Sequence, residues 1–146
     1  YPNVGTFTVL YALFPHEGDW KNGVWQEGDD YNVPVFASEP LSLSIDRTHA
    51  KEPEEASFIS LDQKNVLLTG IKQSEDGDEM ILRLSEAEGK SGIVHLALPY
   101  KIGSVRRLNL VELPLPGTEK PEFNGKVMNL KVNPHEIITL GIKFQK

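Results

Sequence analysis

At 146 residues, 39% hydrophobic and 25% charged, the chain is long enough to bury a core and too apolar to remain unfolded. Its net charge of −6 argues against a phosphate-binding surface, which needs clustered Lys and Arg; the only basic pair in a patterned segment is Arg106-Arg107. The lack of cysteine excludes disulfides and thiolate metal sites, and no apolar run approaches the ~20 residues of a membrane-spanning helix. Neither nucleic acid nor membrane is therefore expected as a partner.

In chain order, Phe7–Phe14 is apolar on both faces and predicts a strand lying between two layers. Trp20, Val24, Trp25 and Tyr31 then recur at roughly helical spacing behind Asp19, a favourable N-cap. Gly23 and Gly28 interrupt that pattern, each costing about 1 kcal/mol against Ala in a helix interior. The expectation is a short frayed helix near residues 19–27, or an irregular loop.

Leu41, Leu43 and Ile45 alternate with serines and predict a half-buried strand. Residues 46–55 are densely charged without an apolar period and read as a linker. Beyond it, strands are predicted at Phe58–Leu61, Val66–Ile71, Met80–Leu84, Ile93–Leu98, Val105–Val111, Val127–Val132 and Ile138–Ile142. In the third of these Met80, Leu82 and Leu84 share one face, with Arg83 on the other; in the fourth His95 lies opposite Val94, Leu96 and Leu98.

Turn chemistry separates the runs. Glu75-Asp-Gly-Asp78 and Glu88-Gly-Lys-Ser-Gly92 are each expected to join two strands as a hairpin. Pro114, Pro116, Gly117 and Pro121 mark a long connection, and Asn124-Gly125 another turn. Many short strands at this spacing predict an all-β, antiparallel β-sandwich with at most one short helix.

Six motifs, in order, resemble one family. Phe7-Thr-Val-Leu-Tyr-Ala-Leu-Phe-Pro-His-Glu-Gly-Asp-Trp20 is similar to a signature of the glycoside hydrolase family 38 α-mannosidases, and Tyr31-Asn-Val-Pro34 matches the aromatic-Asn-x-Pro that follows it. Asn65-Val-Leu-Leu-Thr69 with Lys72 resembles a strand of that family's terminal domain. Glu75-Asp-Gly-Asp78 with Leu82-Arg-Leu84 and Glu86, then Asn109-Leu-Val-Glu112, then Pro134-His-Glu-Ile-Ile-Thr139 resemble its later segments. His16, Asp19, Trp20, Asn65 and Glu136 are the structural signature positions.

The resemblance implies a C-terminal β-sandwich region of an α-mannosidase. It implies a catalytic domain upstream, with zinc or another divalent metal held by His and Asp. There an Asp serves as nucleophile and a second carboxylate as general acid. None of those motifs occurs here, so no catalytic residue, metal ligand or cofactor is expected in this chain, and the chain alone is expected to be inactive. A longer polypeptide is expected ahead of Tyr1. Residues 1–46 would end a large preceding sandwich, 47–56 link, and 57–146 form the terminal sandwich. The expected partners are the upstream catalytic domain and, for the parent, an α-mannoside. The absence of cysteines and of Asn-x-Ser/Thr sequons leans toward a cytoplasmic enzyme.

Some residues admit more than one role. His16, Glu17 and Asp19 resemble a metal cluster on paper, but His49, His95 and His135 sit in separate segments. The structural alternative has His16 bonding locally and Asp19 capping a turn. Glu75, Asp76, Asp78 and Glu79 offer carboxylates for calcium or glycoside chemistry, yet their spacing fits no EF-hand, and a solvated hairpin tip accounts for them. A third role is contact with the catalytic domain, with Glu75, Asp76, Asp78 and Arg83 at the active-site rim. An exposed Arg83–Glu86 ion pair would add only about 0–1 kcal/mol. Trp20 and Trp25, with Tyr31, either pack or stack on sugar rings. Stacking would make the chain an independent mannose- or glycan-binding module.

Overall fold

The computed structural model describes residues 5–33, 35–37 and 55–145. The chain divides into two compact units, Tyr1–Ile45 and Asp46–Lys146. The predicted strand at 41–45 and most of the charged stretch at 46–55 lie outside the described residues.

In the first unit the helix α1 spans Val24–Asn32, later than expected. Its N-cap is Gly23, at φ 88°, without a side-chain cap. Asp19 instead caps the preceding turn: its Oδ1 accepts the Lys21 N–H at 2.9 Å and its carbonyl accepts the Asn22 N–H at 3.1 Å. Gly18, at φ 77°, makes that turn possible, since a Cβ there would sit 2.3 Å from Asn22 Nδ2.

Phe7–Phe14 is not a strand; it is irregular and exposed. A segment apolar on both faces needs a ladder partner and a layer on each side. The described residues of this unit contain no strand at all.

The second unit is an all-β sandwich, as expected. Its strands are β1 (Ser60–Leu61), β2 (Val66–Gln73), β3 (Met80–Glu86), β4 (Gly92–Ala97), β5 (Ile102–Leu108), β6 (Glu122–Asn124), β7 (Val127–Val132) and β8 (Ile137–Phe144). One sheet has the order β1-β4-β7-β6 and the other β2-β3-β8-β5; each pairing is antiparallel.

Period-two patterning sets the register. On β7 Met128, Leu130 and Val132 are buried while Val127, Asn129 and Lys131 face out. Val94 and Leu96 on β4 meet them, and Leu82, Leu84, Ile138, Leu140 and Ile142 come from the facing sheet. Truncating a fully buried leucine in such a core costs about 2–5 kcal/mol.

The β2-β3-β8-β5 sheet is covered on its outer side as well. Ile81, Thr139 and Leu108 are buried there, beside Gly141. The chain after β5 folds back across this face, with Leu108 bridged to Pro114. Asn109 makes the reversal. Its Oδ1 accepts the N–H groups of Val111 (3.1 Å) and Leu113 (2.9 Å), and its own N–H reaches the Leu113 carbonyl at 2.9 Å. The strand predicted to reach Val111 therefore stops at Leu108, because the Asn109 amide satisfies the backbone groups that a ladder would have used.

Two of the turns close antiparallel pairs and a third does not. Gly77, at φ 78°, closes the β2–β3 hairpin, and Gly125, at φ 60°, closes β6–β7. Glu88–Gly92 is not a hairpin, because β3 and β4 belong to different sheets. The chain crosses there because the buried Glu86 carboxylate gathers the next N–H groups, those of Glu88 and Gly89, and turns the backbone out of the β3 ladder.

Candidate functional site

The acidic turn and Arg83 make no direct contact; Glu75 reaches Arg83 only through Lys72 and Glu112. Glu75 pairs with Lys72 at 3.3 Å and Asp78 approaches Lys143 at 3.5 Å, both at the exposed tip beside Asp76. Arg83 lies in mid-strand, between Gly70 and Thr139. Its guanidinium donates to the Leu110 carbonyl at 3.1 Å and approaches Glu112 at 4.0 Å. Glu112, at φ 64°, also meets Lys72 at 3.0 Å and raises the lysine pKa. Arg83 thus pins the loop after β5, and no Arg83–Glu86 pair exists: residues 83 and 86 face opposite ways on β3.

Glu79, the fourth carboxylate of the turn, is buried and forked onto Arg106: Nε donates to Oε1 and Oε2 at 3.0 Å each, and an Nη donates to Oε2 at 2.7 Å. The pairing raises the Arg106 pKa. Gly141 admits this carboxylate, since a Cβ at that position would lie 2.6 Å from Glu79 Oε2. The adjacent Arg107 points the other way, donating to Glu136 Oε1 at 3.1 Å and to the Lys131 carbonyl at 3.5 Å. The basic pair of the sequence is divided between two faces.

Glu86, only 2% exposed, organises one end of the sandwich. Its oxygens accept the Asn65 amide (2.8 Å) and the N–H groups of Glu88 (2.9 Å), Gly89 (2.7 Å) and His135 (2.8 Å). Burial alone would raise its pKa; the bonds from Asn65, His135 and the Glu88–Lys90 backbone outweigh that and lower it to about 2. Glu136 closes the neighbouring turn by accepting the Asn133 N–H at 2.8 Å. The signature residues Asn65 and Glu136 therefore sit in a connected polar knot that ties β2, the β3–β4 crossover and the β7–β8 turn.

In the first unit, His16 Nδ1 faces the Glu17 carbonyl at 3.4 Å and its ring stacks near Phe14. Trp20 is 45% exposed, with Lys21 Nζ 5.5 Å from its ring centroid. Trp25 is half-buried; its Nε1 and Gln26 Oε1 have no hydrogen-bond partner among the described residues.

One pair was not singled out from the sequence. Asp62, just past β1, accepts the His95 N–H at 2.8 Å and contacts His95 Nδ1 at 2.6 Å. The ring bond first, then the backbone bond, hold the Asp62 carboxyl below the usual range. A separation of 33 residues hid it. Among the described residues no three His, Asp or Glu side chains converge as metal ligands, and no helix is long and apolar enough to cross a membrane.

Comparison with known proteins agrees with this architecture. Residues 65–140, more than half of the chain, match the glycosyl hydrolases family 38 C-terminal beta sandwich domain. Alpha-mannosidase G of Dictyostelium discoideum is 28% identical over 142 residues, covering 94% of this chain. The chain spans 12% of that relative's length. Residues 65–140 contain β2 to β7 and the first half of β8, with the Glu86 knot and the Glu79–Arg106 fork, so the chain belongs to glycosyl hydrolase family 38, of which it carries the C-terminal β-sandwich domain.

Proposed function

We propose that this chain is the non-catalytic C-terminal β-domain of an α-mannosidase, packing on the catalytic domain of the same polypeptide and supporting its active-site rim. The parent hydrolyses terminal α-mannosides. Zinc or another divalent metal and the reacting carboxylates belong to the upstream domain, and the chain alone turns over no substrate.

One observation carries the packing role. The loop after β5 is held by Asn109, Arg83 and the Leu108–Pro114 bridge, yet Leu110, Val111 and Leu113 are 60%, 72% and 59% exposed. Folded proteins seldom hold apolar side chains rigidly in water unless another surface covers them. The unpaired apolar stretch Phe7–Phe14 makes the same demand. The acidic tip at Glu75, Asp76 and Asp78 is the element of this domain offered for the rim, because its charges exceed what a hairpin requires.

The test is made in the full-length parent. Replacing Leu110 and Val111 with serine should leave the isolated chain folded while lowering the parent's thermal midpoint and its mannosidase activity. A parent indifferent to both substitutions would remove the packing role.

A further inference from the structure

Outside these residues, a cleft of about 340 Å³ lies along β7, between Ile93 of β4, the 119–122 segment and Arg107 of β5. Its floor is β7, with Asn129 and Lys131 facing out. Ile93 of β4 lies beside Lys131, and Glu122 of β6 lies beside Asn129, each in register. Lys120 and Asn133 complete the rim, and Arg107 closes the back, already engaged by Glu136 and the Lys131 carbonyl.

We propose that this cleft binds a neutral saccharide. Its size falls within the usual range for small-ligand sites, roughly 300–1,000 Å³. The polar lining mixes donors and acceptors. Lys120 and Lys131 donate, Glu119 and Glu122 accept, the Asn129 amide does both, and Asn133, whose Nδ2 already donates to Glu136 Oε2 at 3.0 Å, offers its amide oxygen. Neither lysine, nor Glu122, has an ion-pair partner among the described residues.

Every sugar hydroxyl both donates and accepts, so a ring bearing several of them engages all of these groups together. An anion would be opposed by Glu119 and Glu122 and a cation by the two lysines. Ile93, 58% exposed, supplies an apolar wall for the C–H face of a pyranose ring. Strands hold the floor in place: Ile93, Glu122, Asn129 and Lys131 stand on paired β4, β6 and β7, and the Arg107–Glu136 bond joins the cleft to the β7–β8 turn.

The choice of mannosides as first probes rests on the family reading; the neutral-saccharide chemistry of the cleft does not. Methyl α-mannoside, a linear mannotriose, a glucose disaccharide and citrate would each be titrated into the 146-residue chain. The side-chain amide resonances of Asn129 and Asn133 report binding.

Saturable shifts of both amides are expected with at least one neutral saccharide, at a dissociation constant on the order of 1 mM. Asn129→Ala and Lys131→Ala should each weaken binding at least about fivefold, or roughly 1 kcal/mol, without altering the rest of the spectrum. No shift with any saccharide up to about 20 mM would overturn the proposal, as would shifts confined to other residues or tighter binding of citrate. Failure of the mannosidase reading would show separately, as a parent without mannoside hydrolysis.

Discussion

Glu86 Oε2 accepts the backbone N–H of His135 at 2.8 Å across 49 residues of sequence, joining the β3–β4 crossover to the β7–β8 turn. His135 sits at φ 56°, and the Gly89 backbone passes so close that a Cβ there would lie 2.7 Å from His135 Nε2. The two turns are built around one carboxylate.

Removing that charge should be costly. Glu86→Gln leaves buried N–H groups facing an amide that cannot accept from all of them, and a loss of roughly 2–3 kcal/mol is expected at pH 7. The native Glu86 pKa of about 2 lies below its ordinary 4.5. Its contribution is therefore fully present above about pH 4.5 and is lost as the pH falls toward 2. Urea unfolding of wild type and Glu86→Gln at pH 7 and pH 3 should show a smaller difference at the lower pH; an equal difference would contradict this assignment.

Gly141 should be hardest to replace while Glu79 is present, since the other close neighbour of a Cβ there, Leu108 Cδ1 at 3.2 Å, is an apolar side chain end. In the wild-type background Gly141→Ala is expected to cost about 2 kcal/mol, because the new methyl displaces a buried carboxylate from Arg106. In a Glu79→Ala background the same change should cost much less. A double-mutant cycle by thermal unfolding reads the coupling, and additive effects would rule it out.

These particulars show where the sequence was readable. The alternation of Val127–Val132 fixes both burial and strand length, because a period of two leaves no other buried face. β6 gave no such signal: it has three residues, all exposed. The residues at 88–92 announced a turn, but a turn's composition does not say to which sheet the chain goes next. Leu110 and Val111 prolonged an apolar run past the point where the Asn109 amide stops the ladder. Glu79 and Glu86 read as solvated charges, since a buried carboxylate is recognisable only once its distant donors are in place. The family motifs carried more than periodicity could: Asn65, Glu86, Asn109 and Glu136 each close a turn or the knot.

The Asp62–His95 pair should behave as an edge clasp. His95→Ala should return the Asp62 carboxyl toward its ordinary 3.8. Because Asp62 is held below that value, its contribution is present above pH 3.8 and disappears as the pH falls through the lowered value. The side chains are exposed, so the effect on stability should stay under about 1 kcal/mol. Carboxyl NMR titration of wild type and variant checks the direction; an unchanged Asp62 midpoint would contradict it.

The acidic tip offers a separate test in the parent. Asp76→Lys with Asp78→Lys should leave the fold intact, since Asp78 makes only a 3.5 Å contact to Lys143. The rim reading expects a change of at least about threefold in the parent's KM or kcat, about 0.7 kcal/mol. Unchanged kinetics would remove the tip from the rim.

Hydrolysis of an aryl α-mannoside, with zinc or cobalt present, tests the central claim most directly when this chain and the full-length parent are assayed side by side. The account predicts turnover by the parent and none by the chain. Turnover by the chain alone would contradict it and place an active site among the carboxylates read here as structural.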